Sequence, residues 1–116
     1  MSVLVAILVV SMPKQADSLD TPLNEKPVQQ IIEHFAKQYN VSSERIINTL
    51  KCESSLNPNA IGDKGKSFGI AQIHIPSHPK VSIEQAKDPV FSAEFTAKEF
   101  SRGNAKIWTC YRILYL

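Results

Sequence analysis

Two short runs concentrate the residue types that can do chemistry. Cys52-Glu53-Ser54-Ser55-Leu56-Asn57-Pro58-Asn59-Ala60 is followed, after a glycine-containing loop, by Ser67-Phe68-Gly69-Ile70-Ala71-Gln72-Ile73. Glu53 stands where the apolar stripe Ile46, Ile47 and Leu50 runs out, so it is expected at a helix end, open to whatever the next loop encloses. A carboxyl set partly out of water beside an apolar wall keeps its proton closer to neutral pH, as protonating a glycosidic oxygen requires. By itself, a glutamate at a helix end is ordinarily a solvated residue; the combination of both runs is what singles Glu53 out.

Other candidates weigh less. Asp63, between Gly62 and Lys64, could supply a second carboxylate but is more readily a turn residue. His74 and His78 have a spacing that would suit a metal on a helix, yet Pro76 and Pro79 exclude a helix there, and no metal site is expected. His34 reads as a surface or boundary residue. Neither Cys52 nor Cys110 has a recognisable histidine partner for thiol catalysis. An even cysteine count in a small exported domain instead favours a disulfide between them.

The two runs together resemble the signature of lytic transglycosylases and goose-type lysozymes. In that signature Glu-Ser, an aromatic or aliphatic residue, Asn-Pro and Ala precede a Gly-Leu-Met-Gln-Ile-like run. The resemblance covers about residues 27–112 and implies an all-α, lysozyme-like domain with a glycan-binding cleft. It makes Glu53 the single catalytic acid/base, Ser54 a neighbour fixing the helix end, and Gln72 a cleft residue. Gly69 would let the backbone approach closely under the sugar, and His74 would line a glycan subsite.

In such enzymes the acid protonates the leaving oxygen, the N-acetyl group of the muramoyl sugar assists, and the same glutamate then takes the C6 hydroxyl proton. The expected activity is cleavage of the β-1,4 bond between N-acetylmuramic acid and N-acetylglucosamine, leaving a 1,6-anhydro end. One carboxylate serves both steps. A conventional hydrolase needs two, separated by about 5–5.5 Å if retaining and about 6.5–9.5 Å if inverting. The alternatives are a lysozyme-type hydrolase on the same fold and a weakly active glycan-binding or envelope assembly protein. The sequence departs from the family where a Tyr-Asn-Ala-Gly run would supply a tyrosine to the catalytic glutamate. Trp108-Thr109-Cys110-Tyr111-Arg112 stands there, leaving Tyr111 as the one comparable candidate. Because Tyr111 follows Cys110 as Glu53 follows Cys52, a Cys52–Cys110 bridge would bring the two into one region.

The elements that must position these residues follow from periodicity and caps. Val28, Ile31, Ile32, Phe35 and Tyr39 predict a helix over 27–39, with Pro27 in its first turn. Ser42 or Ser43 caps a second helix ending at Glu53 or Ser54, and Pro58 prevents continuation. A short helix or turn is expected over Phe68–Ile73, then irregular chain to Pro79. Ser82 with Gln85 matches a capping box. Asp88-Pro89 opens a longer helix whose core face is Phe91, Phe95 and Phe100 and whose stop is Gly103. Asn104 caps a final helix with Ile107, Trp108, Tyr111 and Leu114 on one stripe. Sustained alternation is missing outside the leader, so at most a tiny hairpin is expected among the loops.

The 116 residues suit one small domain, and a net charge of +2 gives no ground for a nucleic-acid partner. No cofactor is expected, and the protein is expected to act as a monomer on peptidoglycan glycan strands. Val3–Val10 is an unbroken apolar run, too short for the roughly 20 residues a spanning helix needs. It reads as the core of a secretory signal. We therefore divide the chain into a signal-like hydrophobic leader (1–16), a linker (17–26) and a lytic transglycosylase-like domain (27–116). The protein is expected to be secreted or associated with the cell envelope, by the leader itself if that is retained.

Overall fold

A computed structural model describes residues 21–116; the leader and residues 17–20 of the linker lie outside the described residues. Five α-helices and a very small sheet make up the domain: α1 (Val28–Gln38), α2 (Ser43–Ser54), β1 (Ile61–Gly62), β2 (Ser67–Phe68), β3 (Ile73–His74), α3 (Ile83–Lys87), α4 (Pro89–Ser101) and α5 (Thr109–Tyr115). Single 3-10 turns occupy Leu23–Glu25, Ile75–Ser77 and Ala105–Ile107. The all-α reading holds.

Helix α1 buries Ile31, Ile32, Phe35 and Ala36 on one stripe, packed against α2 and α4. The Tyr39 hydroxyl at its C-terminal end donates to Glu94 Oε2 of α4. In α2, the Ser42 side chain accepts the Arg45 N–H, and Ile46, Ile47, Thr49 and Leu50 are buried. That helix stops because Ser55 and Leu56 turn left-handed, with φ of 57° and 58°. The folded unit begins earlier than expected: Leu23, assigned to the linker, packs against the core ahead of Pro27.

After α2 the segment over Phe68–Ile73 takes the turn of the two forms expected: β2 and β3 form a small hairpin around a Gly69–Gln72 turn, and β1 completes an antiparallel sheet in the order β1-β2-β3. Register pairs Ile61 with Phe68 and Phe68 with Ile73. Phe68, Ile70, Ala71 and Ile73 are buried, which a helix of this length could not achieve on one face.

The capping box of α3 is present, with Ser82 and Gln85 each accepting the other's backbone N–H. Helix α4 opens on Asp88, whose side chain accepts the Val90 N–H, followed by Pro89. Its buried face, however, is Ser92, Ala93, Thr96 and Ala97, and the three phenylalanines are half-buried beside it. Small residues let α1 and α3 come close. The buried hydroxyls are satisfied locally, Ser92 by the Ala86 carbonyl and Thr96 by the Ser92 carbonyl.

The predicted stripe of the last helix does not form. Trp108 is extended, with φ −87° and ψ 122°, and α5 starts after it, so Trp108 is buried while Ile107 and Leu114 are exposed. Nor does Asn104 cap through its side chain; its amide donates to Glu99 Oε1. The Cys52–Cys110 disulfide joins α2 to α5 with the α-carbons 5.9 Å apart. On the chain-entropy view, closing a loop of this length stabilises by roughly 4 kcal/mol.

Candidate active site

A cavity of about 640 Å³ opens between the end of α2, the sheet and the segment leading into α5. Glu53 enters it from α2, Gly62 and Asp63 from β1 and its turn, and Gln72 and His74 from the hairpin. Phe95, Ile107, Trp108 and Thr109 contribute from the opposite part of the chain.

Glu53 is half-buried, and its Oε2 accepts the backbone N–H of Cys110 at 3.0 Å. No other protein donor reaches this carboxylate among the described residues. The bond has a local cause. Trp108 precedes α5 and has no side-chain oxygen to cap it, so a first-turn N–H is left for the glutamate of the disulfide-linked helix.

Ser54 is bonded at the end of α2 and is not among the residues lining the cavity. Its hydroxyl lies 2.6 Å from the Ile70 carbonyl and 3.1 Å from the Leu50 carbonyl, and its single proton favours the shorter contact. The α2 terminus is thereby pinned to the hairpin turn that carries Gln72. Gln72 lines the cavity, yet both its amide protons are committed, to the carbonyls of Gly69 at 3.0 Å and Ala60 at 3.2 Å. It holds the loop closed across the front of the sheet and keeps only its Oε1 for any further partner.

Besides Ser54, two more expected site residues, Gly69 and Tyr111, do not line the cavity. The close approach of Gly69 is to α3. A Cβ there would sit 1.9 Å from the Ala86 carbonyl oxygen of α3, and its φ is +81°. Tyr111 does not reach Glu53. Its hydroxyl accepts from Arg45 Nη1 at 3.1 Å, and its ring packs on Phe100 and Tyr115. Adjacent positions on a helix differ by about 100°, so the bridge that delivers the Cys110 N–H to Glu53 turns Tyr111 away.

Asp63 lines the cavity but is tied into its turn, with φ 50° and Oδ2 accepting from the Ser67 hydroxyl. His74 Nδ1 shares a hydrogen with Ser77 Oγ at 2.8 Å, and His78 meets Phe95 edge-on. Among the described residues, no group of three His, Cys, Asp or Glu could hold a metal.

The cavity wall was not anticipated. Trp108 is buried, its Nε1 donating to the Ala71 carbonyl at 2.9 Å, and Phe95 and Phe100 pack against its ring. The adjacency of Trp108 and Thr109 to Cys110 was the signal available: whatever places one side of a bridged cysteine beside Glu53 places the other side there too.

Compared with known proteins, the chain matches the Transglycosylase SLT domain family over residues 30–114. No curated protein and no solved structure matches it. The match takes in α2, the hairpin, α4 and nearly all of α5, and hence every residue that lines the cavity. The chain therefore belongs to the transglycosylase SLT domain family, with the peptidoglycan-directed, transglycosylase-type activity that this family denotes.

Proposed function

We propose that the protein cleaves the β-1,4 bond between N-acetylmuramic acid and N-acetylglucosamine without water, with Glu53 as the single acid/base. The observation that carries this reading is one carboxylate at the mouth of α2, open to a cavity walled by Trp108 and Phe95 and held through one oxygen only. The protonated carboxyl gives its proton to the glycosidic oxygen while the muramoyl acetamido oxygen closes on C1. The resulting carboxylate then takes the proton of the C6 hydroxyl as O6 displaces the acetamido oxygen from C1. Glu53 ends protonated as it began, and no second carboxylate enters.

Asp63 favours this over hydrolysis, since its engagement with Ser67 in a left-handed turn leaves it poorly suited to direct a water. Of the expected binding residues, Gln72 and His74 line the cavity and are assigned to glycan contact. On this reading the protein acts in the cell envelope or outside it, and as a monomer.

Digestion of purified peptidoglycan with analysis of product masses tests the reaction. Transglycosylation gives muramoyl ends lighter by one water than the reducing ends a lysozyme leaves. Reducing ends would establish the hydrolase, and no products with intact glycan binding would establish a binding protein.

A further inference from the structure

The bridge and the carboxylate are not independent. Cys110 supplies both the sulfur that closes the disulfide to Cys52 and the N–H that holds Glu53 Oε2, and Cys52 and Glu53 are adjacent on α2. Helix α5 has only seven residues, and Ile113 and Leu114 on it are exposed. A helix so short is marginal without tertiary anchors. Beyond the bridge and the Glu53 bond, its side-chain ties to α2 are the exposed bonds Arg45–Tyr111 and Asn48–Tyr115 and the Arg45 guanidinium over the Tyr115 ring, kinds of contact that contribute little at an exposed site. Trp108 anchors the chain before α5 but not α5 itself. Cys52 lies at an exposed position, where a thiol can reach it.

We propose that the Cys52–Cys110 disulfide is a redox switch on catalysis: closed, it presents the Cys110 backbone N–H to Glu53 and fixes the direction of the acid; open, it leaves the carboxyl unoriented and the enzyme idle. Cys110 is thus a positioning residue. The proposal rests on Glu53 being the acid. A chain synthesised in a reducing compartment would stay inactive there and gain activity where disulfides persist.

The experiment compares oxidised and reduced protein on soluble glycan strands. Dithiothreitol converts the bridge to two thiols, two electrons and two protons passing to the cysteines as the reagent closes to its own cyclic disulfide. The expected result, at a temperature where circular dichroism shows both forms folded, is a fall in kcat of about 10- to 100-fold with KM changed less than about twofold, as misorientation of a reacting group produces. Reoxidation restores kcat. Glycan affinity of the Glu53→Gln variant should be equal in both redox states, which separates orientation of the acid from assembly of the cleft.

If reduction unfolds the domain, the comparison moves to a synthetic chain with an ester in place of the 109–110 amide. This keeps the bridge and removes the N–H, and the same selective loss of kcat is expected. A folded reduced protein, or the folded ester chain, with kcat within about twofold of the oxidised wild type overturns the switch. Inactive oxidised wild type, or active oxidised Glu53→Gln, would instead overturn the assignment of Glu53.

Discussion

The indole Nε1–H of Trp108 donates to the carbonyl of Ala71 at 2.9 Å, joining the segment before α5 to the turn between β2 and β3. One bond thereby fastens the apolar wall of the cavity to the turn that carries Gln72. Trp108→Phe keeps a six-membered aromatic ring but removes the pyrrole half of the indole and leaves the buried Ala71 carbonyl without its donor, the lost donor alone costing about 1–3 kcal/mol. The expected outcome is a melting temperature lowered by several degrees, with KM raised more than kcat is lowered. An unchanged melting temperature would remove the bond from the list of features that hold the cavity.

Replacing Glu53 with Gln preserves shape and the ability to accept the Cys110 N–H while removing the transferable proton. Peptidoglycan cleavage should vanish, and the melting temperature and glycan binding should stay near wild type. Residual turnover above about a tenth of wild type, well beyond what loss of an essential proton donor allows, would end the case for Glu53 as the acid.

Much of this was legible from residue types alone. Ser42, the Ser82–Gln85 box and the Asp88-Pro89 start act through local hydrogen bonds, so their signals survive folding unchanged. The disulfide and the position of Glu53 at the end of α2 were readable for similar reasons. What failed was decided by tertiary contact. The phenylalanines of α4 yield the core to Ala93 and Ala97 because helix α1 must come close, a requirement set by a segment some 60 residues away. What crowds Gly69 was not legible because a positive φ needs glycine whichever body lies against it, and that body is α3. Tyr111 was carried over from a motif that this chain lacks, whereas the group on Glu53 is a backbone N–H, which no residue type announces.

The position of Gly69 against α3 has its own test. Gly69→Ala forces a left-handed residue with a side chain, costing about 1–2 kcal/mol, and drives its Cβ into the Ala86 carbonyl, where overpacking adds about 1–3 kcal/mol. A domain of this size loses roughly 4–8 °C of melting temperature per kcal/mol. The variant should therefore melt at least about 8 °C lower by these magnitudes, or fail to accumulate. A stable variant with weakened glycan binding alone would restore Gly69 to the cleft.

Gln72→Ala removes both amide bonds at once, to Ala60 and Gly69, and with them the closure of the loop before β2. The loss should appear as about 1–3 kcal/mol of stability, at about 0.5–1.5 kcal/mol per bond, together with a raised KM. Gln72→Glu discriminates between holding the loop and touching the glycan. It retains an acceptor towards the cavity but has no amide protons, so it should be as unstable as the alanine variant. Equal stability of Gln72→Glu and wild type would mean the loop does not depend on those bonds.

The last prediction concerns alkaline pH and the pairing of α1 with α4. Tyr39 donates its hydroxyl proton to Glu94 Oε2 at 2.6 Å, and that hydrogen bond, reinforced by burial and by the Glu94 charge, raises the phenol above its ordinary value of 10.0. Ionising Tyr39 in the folded protein would place a phenolate against a carboxylate and destroy the bond. In the unfolded chain the phenol titrates first, at its ordinary value. The stabilisation is therefore fully present below about pH 10 and is lost as pH rises from there through the folded value. Tyr39→Phe lacks both the bond and the titration. The difference in urea midpoint between wild type and Tyr39→Phe should be constant from about pH 7 to 9 and shrink above about pH 10; taking the difference cancels the other tyrosines. A gap that stays constant through that upper range would mean the Tyr39–Glu94 bond does not hold α1 to α4 in solution.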